Sequence, residues 1–579
     1  MGTGAPSSHL LMDIPMSASK SVAGPSVVSH AGRSGRNWLA LSAIAALIVV
    51  LPVAGLALEA LKGSTGLWAH LFSSVLPVAL RDTVILLVGV GLLTAVLGTT
   101  TAWLVTAYDF PGRRLLEWAL LLPLAVPTYI IAYAYLDILH PIGSVQGAIR
   151  WVLGYESPRQ FRLPDIRSMI GCILLLGFVL YPYVYIPTRA MFITQSGNLI
   201  DAARTLGISR RAVFWRVALP LARPAVAVGI ALALMETLND VGAAEFLGVR
   251  TMTVSIYTTW ITRTDLPGAS QIALALLLIV VGLVAVERWA RRKQRYATDA
   301  RRSRGLKPQK VSAVNGMLLL FMGSVPILLG FVAPALYLTT EAWKRYQFAG
   351  VSPRLLNEAI STITIATLAT VVTISLGLVV AYATRLRPGK ASATLLRLST
   401  VGYAAPGTVV AIGVLIVLAG FDRFIDRTAL DWCGISTGLL FMGSGAAVVY
   451  ALTVRFLAIS AGGIEAGLSR IPMSLDHASR TLGQSPAGTF RHVHLPLSKA
   501  AISAAALLVF VDCIKELPAT LLLRPLNVET FATHLYGEAA RGTYEEASIA
   551  ALAIVAISVL PVILLSRIGT AGRSVAADR

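Results

Sequence analysis

The stretch DAARTLGISRRAVFWRVALPLARP, residues 201–224, lies between two long apolar runs and contains five arginines. A segment this basic is too costly to place in the hydrocarbon core of a membrane. The chain repeats it, because residues 477–500 read HASRTLGQSPAGTFRHVHLPLSKA. The glycine and the Leu-Pro pair keep one spacing in both copies, at Gly207 with Leu219-Pro220 and at Gly483 with Leu495-Pro496. A basic element that occurs twice at one spacing indicates a larger duplicated unit.

The composition is that of a membrane protein. Of 579 residues, 56% are hydrophobic and 13% are charged, whereas a soluble protein has about a quarter charged residues. Several windows of about 20 residues carry almost no charge, and this length crosses a bilayer as a helix. We expect an all-α polytopic membrane protein with about twelve transmembrane helices. Their centres are predicted near residues 49, 95, 127, 178, 230, 280, 326, 372, 408, 447, 507 and 556.

The net charge of +20 does not indicate nucleic-acid binding, because the basic residues are spread over many short loops. With the N-terminus inside, about twice as many Lys and Arg fall on the cytoplasmic side as on the outer side, which is the usual bias. We therefore expect a multi-pass protein whose termini and repeated stretches are all cytoplasmic.

The two halves align over most of their length. An offset of 276 residues places Asp240 on Glu516, and an offset of 279 places Gly98 on Gly377 and Pro127 on Pro406. Six spans per half make the two repeats parallel, related by a pseudo-twofold axis along the membrane normal, with a path at their interface. The predicted divisions are a disordered cytoplasmic tail (1–37), a first transmembrane unit (38–290), a basic cytoplasmic linker (291–313) and a second transmembrane unit (314–579).

The repeated stretch predicts a helix, a tight turn and a second helix. Gly207 and Gly483 are placed to take the left-handed conformation that ends a helix. Ser209 and Ser485 follow as N-caps, and Pro486 occupies the first helical position. We expect the element to end at Leu-Pro, where the chain returns to the membrane. A single such loop can merely join two spans, but its repetition favours a docking element for a two-fold partner.

The pattern resembles the EAA loop of binding-protein-dependent ABC transporter permeases, whose Glu-Ala-Ala, glycine and Leu-Pro form the helix that seats in a cleft of the ATPase subunit. The matching positions are Asp201, Ala202, Ala203, Gly207, Leu219 and Pro220 in the first copy, and His477, Ala478, Ser479, Gly483, Leu495 and Pro496 in the second. His477 and Ser479 depart from the pattern. This departure predicts that the two loops contact the ATPase unequally.

The resemblance implies the type I importer permease fold in a bacterial inner membrane, in contact with lipid. It also implies a periplasmic substrate-binding protein outside and an ATP-binding subunit, in two copies, at the coupling loops. The segments that begin KELPATLLL at Lys515 and METLNDVGA at Met235 look most like ferric iron permeases. Importers of thiamine, phosphonate, sulfate or polyamine share the architecture and remain open.

The chain contains no GxxxxGK[ST] phosphate loop. We therefore expect a transport subunit without an ATPase site of its own, so that a partner uses ATP and Mg and this chain binds no cofactor directly. A secondary carrier of the major facilitator type also has twelve spans, and YDFPGRRLLE resembles its basic loop. Such a carrier gives no reason for the repeated docking element. A channel or scaffold lacks support because no filter-like segment is repeated.

Four carboxylates lie near the ends of the fifth and eleventh predicted spans. Glu236 and Asp240 share one helical face, and Asp512 and Glu516 occupy the corresponding places. They predict either a structural polar cluster, with Lys515 paired to Glu516 and Asn239 as a hydrogen-bonding partner, or an electronegative path for a small cation. No catalytic residue and no resident metal site are expected. Three cysteines, Cys172, Cys433 and Cys513, have no spacing that indicates a disulfide.

Overall fold

The computed structural model describes residues 25–63, 68–194, 205, 209–292 and 308–559. Almost all of these residues are helical, as expected for an all-α membrane protein. The first half forms α1 Pro25–Ala60, α2 Leu76–Ala107, α3 Arg113–Ala119, α4 Thr128–Ile138, α5 Ser144–Leu153, α6 Met169–Thr194, α7 Leu219–Asn239, α8 Gly242–Phe246, α9 Met252–Ile261 and α10 Leu266–Arg292.

The second half repeats most of this order, with some of its breaks at different places. It forms α11 Ala313–Ile327, α12 Ala333–Ala349, α13 Pro353–Leu386, α14 Lys390–Thr400, α15 Gly407–Cys433, α16 Ala446–Ser469, α17 Met473–Thr481, α18 Pro486–Thr489, α19 Leu495–Lys515, α20 Pro518–Leu523, α21 Phe531–Arg541 and α22, residues 544–559. Two-residue strands β1 Tyr108–Asp109 and β2 Gln309–Lys310 pair in parallel, which attaches the end of the linker to the first half.

Within the described residues, ten helices are long and apolar enough to cross a membrane, and the pair α3–α4 adds an eleventh that bends by 93°. The twelfth predicted window coincides with α22, which continues to the edge of the described residues. Two predicted centres were wrong, since α15 begins at Gly407 and α16 begins at Ala446. The apolar residues before α15 belong to α14 and its 3-10 turn, and those before α16 belong to the loop after α15. A hydropathy window averages over such a break and does not detect it.

The predicted tail was also partly wrong, because α1 begins at Pro25. Residues 25–37 are therefore helical. Proline is favoured in the first turn of a helix, where its missing N–H leaves no bond unmade. The helix then continues without interruption into the first span.

Each half contributes its first spanning helix to the other half. Tyr450 of α16 donates a hydrogen bond to the carbonyl of Ile48 in α1, 2.7 Å away. In the opposite direction, Tyr337 of α12 donates to Asp137 of α4 at 2.7 Å. This exchange makes the two halves one packed bundle, because neither first helix packs mainly on its own half.

Close helix packing depends on two glycines at equivalent places. A Cβ added at Gly98 of α2 would lie 2.9 Å from the Tyr181 carbonyl of α6, and one added at Gly377 of α13 would lie 3.1 Å from the Ala461 amide of α16. Small residues allow helix backbones to approach in a membrane, where apolar surface alone does not drive association. The alignment of Gly98 with Gly377 therefore marks a duplicated packing contact.

We expect Gly98→Ala to lower the free energy of unfolding by about 1–3 kcal/mol, because the new methyl group overpacks the α2–α6 contact. The melting temperature of the purified protein measures this effect. Gly282→Ala on α10 is the matched control, since its added Cβ meets no atom within 4 Å. An equal loss of stability in both variants would contradict the packing role of Gly98.

Candidate functional site

Both α7 and α19 stop at a carboxylate and then turn into a short helix. Asp240 has φ −74° and ψ 121°, and Glu516 has φ −71° and ψ 121°. The extended conformation ends each long helix at the same point of the repeat. This geometry aims each carboxylate at the free N–H groups of the helix that follows, α8 or α20.

Asp240 caps α8. Its Oδ1 accepts hydrogen bonds from the amides of Ala243 at 2.7 Å and Ala244 at 3.3 Å, and its Oδ2 accepts one from the Thr128 hydroxyl at the start of α4. The side chain is buried. Asp240 therefore fixes two helix starts inside the bundle.

Glu516 caps α20 in the same way and also forms a buried ion pair. It accepts hydrogen bonds from the amides of Ala519 at 2.9 Å and Thr520 at 3.0 Å. Arg455 of α16 lies 2.7 Å from its Oε1, with side chains 9% and 1% exposed. The sequence-based pairing of Lys515 with Glu516 was wrong. Lys515 instead pairs with Asp512 at 2.8 Å, one turn back on α19, because Glu516 points past the helix end toward α20.

The other two carboxylates are more open. Asp512 and Lys515 have about a quarter of their side chains exposed, at 25% and 28%. Glu236 is half-buried and forms no hydrogen bond or ion pair with any other described residue. Glu236 thus remains available to a solute, whereas Asp240 and Glu516 are occupied by capping and Asp512 is paired with Lys515.

All four carboxylates line one cavity of about 120 Å³ between the two halves. Its wall also includes Val179 and Tyr183 in the middle third of α6 and Arg455 in the middle third of α16. The cavity therefore lies within the depth of the bundle. A space of this size holds a small ion with several waters. Six charged groups face it: Glu236, Asp240, Asp512, Glu516, Arg455 and Lys515.

Two hydrogen bonds cross between the halves at this cavity. The Gly407 amide at the start of α15 donates to Asn239 Oδ1 at 2.8 Å, and the Tyr129 hydroxyl of α4 donates to the Lys515 carbonyl at 3.4 Å. Asn239 and Lys515 are equivalent in the repeat. The pseudo-twofold axis therefore passes beside the cavity, and a rotation of one half against the other would change its shape.

The second repeated stretch has the predicted local structure. The helix α17 ends at Thr481, and Gly483 has φ +79°, in the left-handed region. Ser485 caps α18 by accepting a hydrogen bond from the Gly488 amide, and Pro486 follows at the first helical position. The expectation that the element ends at Leu495-Pro496 was wrong. A π turn, Phe490–His494, joins α18 to α19 in one continuous helical segment, because its wider bonding accommodates the proline that follows.

The buried side of α17 is held by an ionic network. Asp476 accepts hydrogen bonds from Arg385, at the end of α13, at 2.8 and 3.1 Å, and contacts His494 of the π turn. Ser479, at an EAA-matching position, hydrogen-bonds to Thr489 at 2.9 Å. His477 and Ala478 lie on the exposed side. The sequence did not predict this network, because its members lie in separate segments.

In the first repeated stretch, Asp201, Ala202, Ala203 and Gly207 lie outside the described residues. Leu219 and Pro220 begin α7 after a π turn, Phe214–Ala218, which repeats the geometry seen before α19. The positions equivalent to Arg385 and His494 are Thr106 and Ala218. These residues carry no charge, so the described part of the first element is held differently.

Arg455, Tyr183 and Tyr403 are cavity residues that the sequence reasoning missed. Arg455 had a usable signal, since it is an arginine inside a predicted span and such residues usually face a cavity or a partner. The tyrosines had none, because aromatic residues are common throughout these helices.

Asp512 and Glu516, about one helical turn apart, provide a matched comparison. We expect Glu516→Gln to reduce folded yield and melting temperature, because it leaves Arg455 without its buried counter-charge, a fault worth about 3–5 kcal/mol. Asp512→Asn should leave both unchanged. Equal melting temperatures for the two variants would show that Glu516 is not structural.

Replacing Gly483 by valine should impair coupling without preventing membrane insertion. A Cβ at this position has free space, so the change acts through backbone strain of about 1–2 kcal/mol at positive φ. We expect ATP hydrolysis by the complete transporter to persist while transport falls. Gln484→Val, the exposed neighbour, is the control, and normal transport by Gly483→Val would exclude a need for this turn.

Comparison of the chain with known proteins identifies its family. The model described as "Binding-protein-dependent transport system inner membrane component" matches twice, over residues 88–296 and 373–571. The Fe(3+)-transport system permease protein FbpB 2 of Haemophilus influenzae is 24% identical over 84% of this chain and 89% of its own length. The sulfate transport system permease protein CysT of Salmonella typhimurium is 27% identical over 40% of this chain and 82% of its own length.

A third relative, PhnU of Salmonella paratyphi A, is named for 2-aminoethylphosphonate transport and is 29% identical over 34% of this chain and 67% of its own length. These relatives are all permeases, and none is a major facilitator carrier. The two family matches together cover most of the chain. The chain therefore belongs to the family of binding-protein-dependent transport system inner membrane components, and it contains two copies of that unit.

Proposed function

We propose that this chain, which carries two transmembrane units, is the permease of an ABC importer for ferric iron. The observation that carries the choice of iron is the extent of the ferric iron relative's match, which spans both halves, whereas the sulfate and phosphonate relatives match about one half each. The cavity supports a cation, because four carboxylates face two basic groups there. Hard cations prefer carboxylate oxygens.

Energy comes from a separate ATP-binding subunit that uses ATP and Mg and docks, in two copies, at the two coupling elements. The exposed side of α17 supports this role, since Leu482, just after the helix, is 81% exposed and Met473 is 51% exposed. Exposed apolar residues on an otherwise polar surface indicate a protein contact. The Arg385–Asp476–His494 network would pass movement of α17 to α13 and α19. Both termini are then cytoplasmic, and the periplasmic binding protein docks at the opposite side.

An oxyanion such as sulfate is the second candidate. Arg455 and Lys515 line the cavity and are the residue types that bind oxyanions. Both already have carboxylate partners, Glu516 and Asp512, at 2.7 and 2.8 Å. An oxyanion would have to displace these carboxylates, so the arrangement favours a cation.

Reconstitution tests the substrate directly. The chain is placed in proteoliposomes with its ATPase subunit and its binding protein, and ATP hydrolysis is measured with iron-loaded or sulfate-loaded binding protein. We expect stimulation by the iron-loaded form alone, and a reduced iron uptake rate for Glu236→Gln at normal folded yield. Stimulation by sulfate and not by iron would overturn the proposal.

A further inference from the structure

A second group of titratable side chains, none of which lines the cavity, lies at the opposite end of α13 from Arg385. Glu358 is in the second turn of α13, and Glu529 and His534 flank the start of α21. His534 Nδ1 is 3.0 Å from Glu358 Oε1 and 3.8 Å from Glu529 Oε2. One possible ligand atom from each residue lies within 4.8 Å of the others.

These separations are close to those around a metal ion. Imidazole nitrogen and carboxylate oxygen bind a transition metal at about 2.0–2.2 Å, so neighbouring ligand atoms in tetrahedral or octahedral sites are about 3–3.5 Å apart. Two carboxylates and one imidazole suit iron, zinc, manganese or cobalt. The side chain of Glu529 is 42% exposed, which leaves the group open to ions from solution.

Glu358 also has an oxygen that the protein leaves unused. Its side chain is 6% exposed, and among the described residues its Oε2 has no hydrogen-bond partner. A buried carboxylate oxygen without a partner loses its hydration with no compensation. A cation bound between Glu358 and His534 would supply the missing interaction.

The first half shows that the fold does not need this group. Thr362 Oγ1 accepts a hydrogen bond from the Phe531 amide at 2.9 Å, and the equivalent Thr83 accepts one from the Met252 amide at 3.0 Å. In the register set by these bonds, Glu358, Glu529 and His534 correspond to Ala79, Arg250 and Ser255. The same framework is built there without the two acids and the histidine, so these side chains are not required for the helix packing.

We propose that Glu358, Glu529 and His534 form a binding site for one transition-metal ion, on the side of the bundle opposite the coupling element. α13 runs about 40 Å between the two ends at 1.5 Å per residue, which separates this site from α17. A bound ion would tie α21 to α13. Because Tyr536 of α21 donates a hydrogen bond to Glu245 of α8 at 2.5 Å, the ion would also steady a contact between the two halves.

The competing explanation is a protonated histidine held between two acids. The hydrogen bond to Glu358 raises the pKa of His534 above its ordinary value, which favours such an ion pair in the absence of metal. Arg524 also pairs with Glu529 at 2.9 Å, through the other carboxylate oxygen. The ion pair and the metal site predict different results when a metal is added.

Co²⁺ titration of the purified full-length chain distinguishes them. We expect a saturable Co²⁺ absorption band and a rise in melting temperature on adding Co²⁺, since a ligand that binds the folded state stabilises it. His534→Ser and Glu358→Ala should each weaken this binding at least about tenfold. Loss of a residue that only hydrogen-bonds to a metal ligand already has an effect of this size. Both variants carry the residue that the first half has at that position, so folding should be retained.

Ser255→Ala in the first half is the matched control and should bind Co²⁺ as the unaltered chain does. The proposal would be overturned if the unaltered chain showed no saturable binding, or if His534→Ser and Glu358→Ala bound Co²⁺ as tightly as the unaltered chain does. The measurement involves no transport, so its outcome is independent of which solute the importer carries.

Discussion

Backbone N–H groups that become free where a helix breaks inside a membrane must be hydrogen-bonded by the protein itself. Asp240 and Glu516 meet this requirement at equivalent places, where they cap α8 and α20 through four amide hydrogen bonds in all. These caps allow α7 and α19 to end beside the middle of neighbouring helices. A cavity between the halves can exist there because the chain turns away. The cavity therefore depends on two carboxylates that are not free to bind a solute.

The two halves share a framework but differ in charge. Lys515 corresponds to Asn239, and Arg455 corresponds to Val179 under the 276-residue offset, so both basic groups of the cavity come from the second half. The ionic network of the second repeated stretch is also specific to that half, since Thr106 and Ala218 stand at the positions of Arg385 and His494. The helix breaks at the cavity and the packing contacts are common to both halves, whereas the charged side chains differ between them.

The sequence predicted the elements that depend on local chemistry. Apolar windows located most of the spanning helices, and the left-handed turn at Gly483 with the cap at Ser485 followed from the residues themselves. The register of the halves placed Pro127 and Pro406 at matching helix starts, with ψ of 141° and 148°.

Contacts between residues that lie far apart in the sequence could not be predicted from it. The Arg455–Glu516 pair joins residues 61 positions apart, and Glu358 lies 176 positions from His534. Four carboxylates on two helix faces suggested four similar roles. The structure assigns capping to Asp240 and Glu516 because helix ends, which hydropathy does not resolve, decide which side chains meet free amides.

The central claim is that the cavity between the halves admits a cation at Glu236, the cavity carboxylate that has no partner among the described residues. Anomalous X-ray scattering at the iron edge tests it most directly, from crystals of the complete transporter trapped with iron and an ATPase that binds but does not hydrolyse ATP. An iron peak beside Glu236, with the Arg455–Glu516 pair intact, is the predicted result. An oxyanion bound to Arg455 with that pair broken, and no iron in the cavity, would contradict the claim.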